Sequence, residues 1–179
     1  MKKKVVVIII SLIIVTGIIV YNQGLKNKKS ESQIFAMDTF MILDAYGKEG
    51  NKAVNLAEQE INRIETLLST TKQESDIYRL NNSKQPEKIS EECIELIKVA
   101  HEVSERSDGA FDISIYPLVK EWGFTTGSYR VPSKQKINAL LSLVNYKNIY
   151  TKGNEVNFAK SDMQIDLGGI AKGYTSDRV

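Results

Sequence analysis

The sequence is poor in the residues that build metal clusters and disulfides. Its 179 residues include one cysteine, Cys93, and one histidine, His101. A single cysteine excludes an internal disulfide and a cysteine-cluster zinc or iron–sulfur site, and a single histidine excludes a multi-histidine metal site within the chain. Three prolines and 11 glycines exclude collagen-like and proline-rich chains, and the 42% of hydrophobic residues excludes a wholly disordered one. The composition predicts a globular protein of about one domain.

Acidic residues are absent from the first 29 positions, which hold six lysines. The other 150 residues contain 18 basic and 22 acidic side chains, so the net charge of +2 comes from the leader alone. A nucleic-acid-binding domain usually carries a basic patch of its own. The charge distribution therefore gives no support to a nucleic-acid partner.

The leader has the pattern of a membrane address. An uncharged apolar run, residues 5–21, follows the lysines at 2–4 and precedes a polar stretch, residues 22–33. No convincing cleavage site or lipid-attachment cysteine follows the run, which favours an uncleaved signal-anchor over a cleaved signal peptide. Lysines before the run place residue 22 onward on the extracytoplasmic side, although the lysines at 26–29 oppose that orientation. We therefore divide the chain into a signal-anchor or signal peptide, 1–21, a polar spacer, 22–33, and a domain, 34–179.

The domain alternates helical and strand-like patterns. The expected elements are a strand at 34–46, helices at 53–69, 90–106 and 133–143, strands at 148–151, 155–159 and 163–167, and a helix from about 170. Ser90 is the expected N-cap of the second helix, and residues 152–154 form the expected hairpin turn. This order predicts an α+β fold rather than a doubly wound sheet.

Two stretches contain residue types that bind ligands. In Ser107–Asp112 a turn with Asp and Gly exposes backbone groups, and Asp112 could accept hydrogen bonds from a ligand; a helix-capping turn followed by a strand explains it equally well. In Asp166–Tyr174 a strand ends in an acid, and two glycines then lead into a helix that carries Lys172. Such a turn can direct amide groups and a helix N-terminus at a phosphate. The spacing is neither that of a Walker loop nor that of a dinucleotide-binding fingerprint.

The remaining candidate site residues are better explained by a structural role than by a functional one. The stretch from Leu67 to Asn81 reads as a helix end followed by a polar loop. His101 has no evident orienting neighbour, which a catalytic histidine needs. Cys93 has no His or Asp placed to activate it, so a small buried residue is expected there.

Taken in order, these stretches resemble the motifs of the ApbE family, the FAD:protein FMN transferases. The matching motifs are Met37-Asp38-Thr39, Leu68-Ser69-Thr70, Ser75-Asp76-Ile77, Leu80-Asn81, Ser107-Asp-Gly-Ala-Phe-Asp112, Pro117-Leu118-Val119, Trp122-Gly123-Phe124 and Asp166-Leu-Gly-Gly-Ile-Ala-Lys-Gly-Tyr174. The resemblance covers about residues 34–179, the whole chain outside the leader.

The resemblance implies a mixed or antiparallel sheet packed with helices, related to the T-fold. It implies an enzyme outside the cytoplasmic membrane that binds FAD and Mg²⁺, transfers FMN to a Thr or Ser hydroxyl of a target protein and releases AMP. The implied targets are flavin-carrying subunits of membrane redox complexes. Phosphoryl transfer of this kind depends on a metal that neutralises charge on the pyrophosphate.

The resemblance also assigns site residues. The cofactor-binding positions it implies are Met37, Thr71, Ala110, Phe111, Asp112, Asp166 and Lys172, and Gly169 would give the metal a backbone oxygen. Family members often have an aromatic residue where this chain has Thr71, so stacking on FAD is not expected there.

Family members continue beyond the point where this sequence stops. Their C-terminal part supplies an Asp and a Thr that complete the metal site, so the catalytic residues are expected there. The sequence is therefore expected to be the N-terminal portion of a longer member and inactive by itself. The alternative is an exported FAD- or nucleotide-binding module without transferase activity.

Overall fold

The computed structural model describes residues 2–26 and 28–179. The described chain separates into two compact units, and the division falls inside a helix, after Ile61. The first unit runs through Ile61, and the second is Asn62–Arg178.

The first unit begins with helix α1, Lys2–Lys26. Its isoleucines from Ile8 to Ile19 are between 49% and 64% exposed, so they contribute little to a protein core. Among the described residues, no helix has the length and apolar character that crossing a membrane requires. That finding lends no support to the anchor expected at 1–21. The helix also extends five residues into the stretch expected to be a polar spacer.

A β-hairpin follows α1. Strand β1, Lys29–Ala36, pairs antiparallel with β2, Thr39–Tyr46, in a register that sets Ala36 opposite Thr39. The two turn residues, Met37 and Asp38, have φ angles of 51° and 55°. Left-handed conformations at both central positions are typical of a type I′ turn, whose twist suits a hairpin.

The hairpin corrects two sequence-based predictions. The single strand expected at 34–46 is two strands, and β1 occupies part of the expected spacer. Type I′ turns favour Asn-Gly or Asp-Gly, so Met37-Asp38 gave no turn signal.

Helix α2, Gly50–Leu68, follows the hairpin and crosses the division between the units. Within the first unit, Val54 and Ile61 are buried on α2, and the Ser32 hydroxyl of β1 donates a hydrogen bond to the Glu58 carboxylate. The 3–4 residue spacing of apolar side chains predicted this helix, and the structure confirms it.

The second unit combines helices with a three-stranded antiparallel sheet. The helices after α2 are α3 (Asp76–Asn82), α4 (Glu91–Arg106), α5 (Tyr116–Glu121), α6 (Lys134–Leu141) and α7 (Gly168–Arg178). The strands are β3 (Glu87–Lys88), β4 (Ile149–Lys152) and β5 (Glu155–Phe158), in the order β3-β5-β4. The fully buried side chains include Ile64, Ile77, Leu80, Ile97, Ile113, Val156, Met163, Ile165 and Leu167. The expected α+β class with antiparallel pairing is confirmed.

Serine side chains fix three helix starts. Ser75, Ser90 and Ser133 each accept a hydrogen bond from a backbone N–H in the first turn of the helix that follows. Such a cap satisfies one of the backbone donors that a helix start leaves open. The N-cap predicted at Ser90 is confirmed by its 3.3 Å bond from the Cys93 N–H.

Residues 163–167 do not form the predicted strand. Their backbone pairs instead with a side chain and a turn: the Asn81 amide donates to the Ile165 carbonyl at 2.8 Å and accepts from the Ile165 N–H at 2.7 Å. The Asp166 N–H donates to the Ile113 carbonyl at 2.8 Å. The extended backbone was read correctly from the alternating pattern, but no neighbouring strand supplies a ladder.

Candidate functional site

The first motif forms the turn that ends α4. Asp108 and Gly109 have φ angles of 52° and 78°, and the Gly109 N–H donates to the Ser104 carbonyl at 2.8 Å. The Ser107 hydroxyl accepts a hydrogen bond from the Phe111 N–H at 3.1 Å. A positive φ at a helix C-terminus is favourable for Gly and tolerated by Asp, which explains why these residue types stand here.

The Asp112 carboxylate is used inside the protein. Its Oδ1 accepts from the Ser114 N–H at 2.8 Å and the Ser114 hydroxyl at 2.6 Å, and its Oδ2 accepts from the Tyr146 N–H at 2.8 Å. Ser114 in turn accepts from the Asn145 N–H at 2.8 Å. Asp112 therefore joins the turn after α4 to residues 145–146, and its side chain has little accepting capacity left for a ligand. The strand expected after this turn is absent; a 3₁₀ turn, Ile113–Ile115, takes its place.

The second motif is the turn that begins α7. The Asp166 Oδ1 accepts a hydrogen bond from the Gly168 N–H at 2.7 Å and so satisfies one donor of the helix start. The helix then carries Gly169 and Lys172 on exposed positions and Ala171 on a buried one. The helix expected near Ile170 is confirmed and begins two residues earlier.

The two motifs pack against each other. A Cβ atom placed on Gly169 would lie 2.8 Å from the Cε2 atom of the Phe111 ring, so the ring rests directly on the α7 backbone. The bond from the Asp166 N–H to the Ile113 carbonyl joins the same two turns. Residues 58 positions apart are thereby placed in one site, and Gly169 is required for the close approach.

Four polar groups at this junction have no hydrogen-bond or ion-pair partner in the part of the chain that the structure describes. They are the backbone N–H groups of Asp112 and Gly169, the Asp166 Oδ2 atom and the Lys172 ammonium. Two amide donors, a cation and a carboxylate oxygen next to a helix N-terminus can bind an anionic ligand that also carries hydroxyl or amino donors.

A shallow groove of about 230 Å³ lies beside the first turn. Its walls come from Asp108, Gly109, Asp112 and residues 144–147. Lys147 lies over the Tyr146 ring, with its Nζ atom 5.7 Å from the ring centroid.

Two other predicted site residues, Thr71 and Met37, belong to other segments of the chain. Thr71 is exposed and follows α2, where the Ser69 hydroxyl accepts from the Thr71 and Lys72 N–H groups at 3.1 and 3.0 Å. Its small side chain offers no stacking surface. Met37 lies in the hairpin turn of the first unit, and the geometry described above is that of the second unit alone.

The lone cysteine and histidine have no catalytic environment. Cys93 is fully buried, and burial raises the pKa of its thiol to about 12. Burial also lowers the pKa of His101, whose ring lies edge-on to Tyr146 with the centroids 5.9 Å apart. The structure thus supports the structural interpretation of both residues.

A partly exposed polar network joins α7 to α4 and α2. The Tyr174 hydroxyl donates to Glu92 on α4 at 2.6 Å, and Arg63 on α2 holds both oxygens of that carboxylate at 2.8 and 2.9 Å. Sequence reasoning missed this network and the role of Asn81, because pairs 82 and 84 residues apart leave no local pattern.

The ApbE family model matches residues 37–179, which is most of the chain. The chain belongs to the ApbE family. A FAD:protein FMN transferase of Klebsiella pneumoniae is 34% identical over 125 residues, covering 68% of this chain and 40% of the relative. A FAD:protein FMN transferase of Escherichia coli K12 is 26% identical over 154 residues, covering 80% of this chain and 44% of the relative.

Solved ApbE structures agree with the fold. The ApbE protein of Thermotoga maritima superposes with a TM-score of 0.79 at 32% identity, covering 84% of this chain and 51% of that one. The flavinyl transferase ApbE of Pseudomonas stutzeri superposes with a TM-score of 0.74 at 28% identity, covering 85% of this chain and 51% of that one. The chain thus spans about two fifths of the curated ApbE relatives and half of the solved ones.

The described part of this ApbE chain does not provide a full metal site. Within that part, no three His, Cys, Asp or Glu side chains are clustered to hold a metal ion. Asp166 and a backbone oxygen of Gly169 would supply two oxygen donors, whereas Mg²⁺ prefers six in an octahedron. No chemical step is therefore derived through a metal.

Proposed function

We propose that this chain binds FAD as part of a flavin transferase, which moves FMN from FAD to a Thr or Ser hydroxyl of a target protein. In that reaction the hydroxyl oxygen forms a bond to the FMN phosphorus, the phosphoanhydride bond to AMP breaks, and AMP and the hydroxyl proton leave. Support comes from family membership and from relatives that are named FAD:protein FMN transferases.

One observation supports the proposal most directly. The turns of two ApbE motifs pack together through Phe111 and Gly169 and leave Asp166 Oδ2 and Lys172 without partners in the described chain. Unpaired polar groups at a rigid junction are preorganised for a ligand, because the protein does not have to break its own hydrogen bonds to bind it.

Each group has a separate role in this proposal. The Gly169 N–H and the α7 N-terminus attract an anionic pyrophosphate, and Lys172 adds a full positive charge. Asp166 Oδ2 accepts from a hydroxyl or amino group of the nucleotide, while its Oδ1 holds the start of α7 in place. Asp112 acts through its backbone N–H, since its carboxylate is occupied.

The proposed dependence on Mg²⁺ rests on the family resemblance. The ion would neutralise charge on the pyrophosphate when bound. Gly169 and Asp166 are the residues of this chain that could approach it, and further donors must come from outside the described residues.

The proposed location rests on the leader sequence and the family resemblance, and the proposed partners rest on the resemblance. We propose an extracytoplasmic protein held at the cell membrane by its N-terminal segment, with flavin-carrying subunits of membrane redox complexes as acceptors. The lysines before the apolar run and the absence of acids from the leader support this orientation.

Titration with FAD, followed by flavin fluorescence, tests the proposed site. Lys172→Ala should weaken FAD binding about tenfold or more, because it removes the one full positive charge at the junction. Lys152→Ala is the matched control, since that exposed lysine lies on β4, away from the site. Equal affinities of the two variants would contradict the site assignment.

A transfer assay separates the enzyme from its alternative. The chain and a longer family form are each incubated with FAD, Mg²⁺ and a flavin-acceptor domain, and covalent FMN is detected by mass. Attachment of FMN supports the transferase. FAD binding by both forms with transfer by neither favours the exported FAD- or nucleotide-binding module.

A further inference from the structure

Helix α7 is intrinsically weak and shallowly anchored. Three of its 11 residues are glycines, and its buried residues, Ala171 and Thr175, are both small. Each glycine inside a helix costs up to about 1 kcal/mol relative to alanine, and small side chains bury little apolar surface. Hydrogen bonds from α7 to the rest of the unit therefore matter more for its position than they would for a helix with large buried side chains.

The polar network at Tyr174 is such an anchor. Its hydroxyl donates to Glu92 at 2.6 Å, and the bidentate pair between Glu92 and Arg63 fixes the accepting carboxylate. Three helices, α2, α4 and α7, meet in this network. Hydrogen bonding to Arg63 lowers the pKa of Glu92, while burial and the Glu92 hydrogen bond raise the pKa of Tyr174 to about 12. The pair is thus a neutral phenol donating to an ionised carboxylate, a charge-assisted bond.

The anchored face of α7 lies opposite its binding face. Successive residues turn by about 100°, so Lys172 and Tyr174 lie about 200° apart around the helix axis. Gly169 and Lys172, three residues apart, share the exposed face. A rotation of α7 about its axis would move both of them, and the bond from Tyr174 to Glu92 restrains that rotation.

We propose that Tyr174, held by Glu92 and Arg63, is a positioning residue that fixes Gly169 and Lys172 for nucleotide binding. The inference rests on the proposed function, because it names what orients the proposed FAD-binding groups. Tyr174 does not touch the ligand in this proposal; it acts through α7.

A double-mutant cycle on the full chain tests the proposal, with FAD affinity as the readout. Tyr174→Phe removes one hydroxyl and leaves the Glu92–Arg63 pair intact, so the fold is kept. It should weaken FAD binding about tenfold in the unaltered chain and clearly less in a Lys172→Ala background, because one of the two groups that Tyr174 positions is then already lost. Tyr150→Phe, an exposed tyrosine on β4, is the control and should change nothing.

Hydrogen exchange of residues 168–176 without ligand gives an independent readout. Tyr174→Phe should speed exchange in α7 alone, and Glu92→Gln should act in the same direction while keeping an acceptor. Unchanged FAD affinity in Tyr174→Phe, or an equal loss in both backgrounds, overturns the proposal. If the unaltered chain binds no FAD, the proposed function fails. Hydrogen exchange then tests the restraint by itself: faster exchange in Tyr174→Phe supports a restraint on α7 by Tyr174, and unchanged exchange contradicts it.

Discussion

At the scale of single residues, the site depends on the close approach of the Phe111 ring to the backbone of Gly169. Gly169 has no Cβ, and the Phe111 ring occupies the space that a Cβ would need, at 2.8 Å. Gly173, one turn later on the same helix, has no atom within 4 Å of its own Cβ position. Gly169 and Gly173 thus occupy different environments in α7, and an alanine substitution should change the free energy of unfolding in opposite directions at the two positions.

We expect Gly169→Ala to destabilise the protein by about 1–3 kcal/mol, because the Phe111 ring has to move out of a packed position. Gly173→Ala should stabilise it by about 0.5–1 kcal/mol through helix propensity. Urea unfolding of both variants measures the difference. Stabilisation by both substitutions would show that the contact between Phe111 and Gly169 is not tight.

Asp76 couples helix α3 to the start of α4. Its carboxylate accepts from the Ser90 N–H at 2.8 Å and from Arg79 at 2.6 Å. Burial acts to raise the pKa of Asp76, but the hydrogen bonds from Ser90 and Arg79 outweigh it, so the pKa lies below the ordinary value. A carboxylate with a lowered pKa in the folded state adds stability that is complete at neutral pH.

That contribution should be lost as the pH falls below about 4, where the unfolded chain takes up the proton before the folded chain does. Asp76→Asn should therefore flatten the acid limb of a stability–pH curve while also lowering stability at pH 7. Asp162→Asn, an exposed aspartate, should leave the curve almost unchanged. If Asp76→Asn leaves the acid limb unaltered, carboxylates other than Asp76 cause the loss of stability at low pH.

At the scale of elements, local patterns predicted α2, α4, α6 and the β4–β5 hairpin, because the spacing of apolar, capping and turn residues is visible within each segment. The sequence predicted a helix N-cap where a serine precedes the helix, as at Ser90. The hairpin turn at Met37-Asp38 was not readable, since neither residue favours a positive φ. Asp166 and Lys172 could be singled out by residue type, but their neighbours Phe111 and Ile113 are brought to them only by the tertiary fold.

The extended segment 163–167 is the element that local reasoning misassigned. Its Ile165 backbone pairs in both directions with the Asn81 side chain, which is 7% exposed. An amide side chain can replace a strand edge in this way because it offers one donor and one acceptor in the same plane. The segment leads directly into Asp166, so its placement also fixes the site.

We expect Asn81→Ala to cost about 2–4 kcal/mol, because it leaves the buried N–H and carbonyl of Ile165 unpaired. The neighbouring Asn82→Ala should cost less than about 1 kcal/mol, since that exposed side chain bonds only to Tyr78 of its own helix. Chemical unfolding of the two variants provides the measurement. Similar small losses would mean that water or a shifted backbone satisfies Ile165.

At the scale of the whole molecule, the N-terminal helix is set apart by its surface. Large apolar side chains on α1 such as Ile13 and Val20 are 64% and 67% exposed, whereas the second unit has a core of fully buried side chains that includes Ile97. Apolar side chains that pack against nothing add no folding free energy in water. In the proposed location, these side chains would contact a membrane.

Removing residues 1–28 should leave the unfolding free energy within about 0.5 kcal/mol, because the residues in this range whose side chains the structure describes are all exposed. The full chain should float with anionic lipid vesicles, and the shortened chain should not. A full-length variant with Ile9→Glu and Ile13→Glu keeps the length but breaks the apolar surface, so it should also fail to float. Flotation of the shortened chain, or none by the full chain, would contradict the proposed tether, and a large loss of stability would show that α1 packs on the protein.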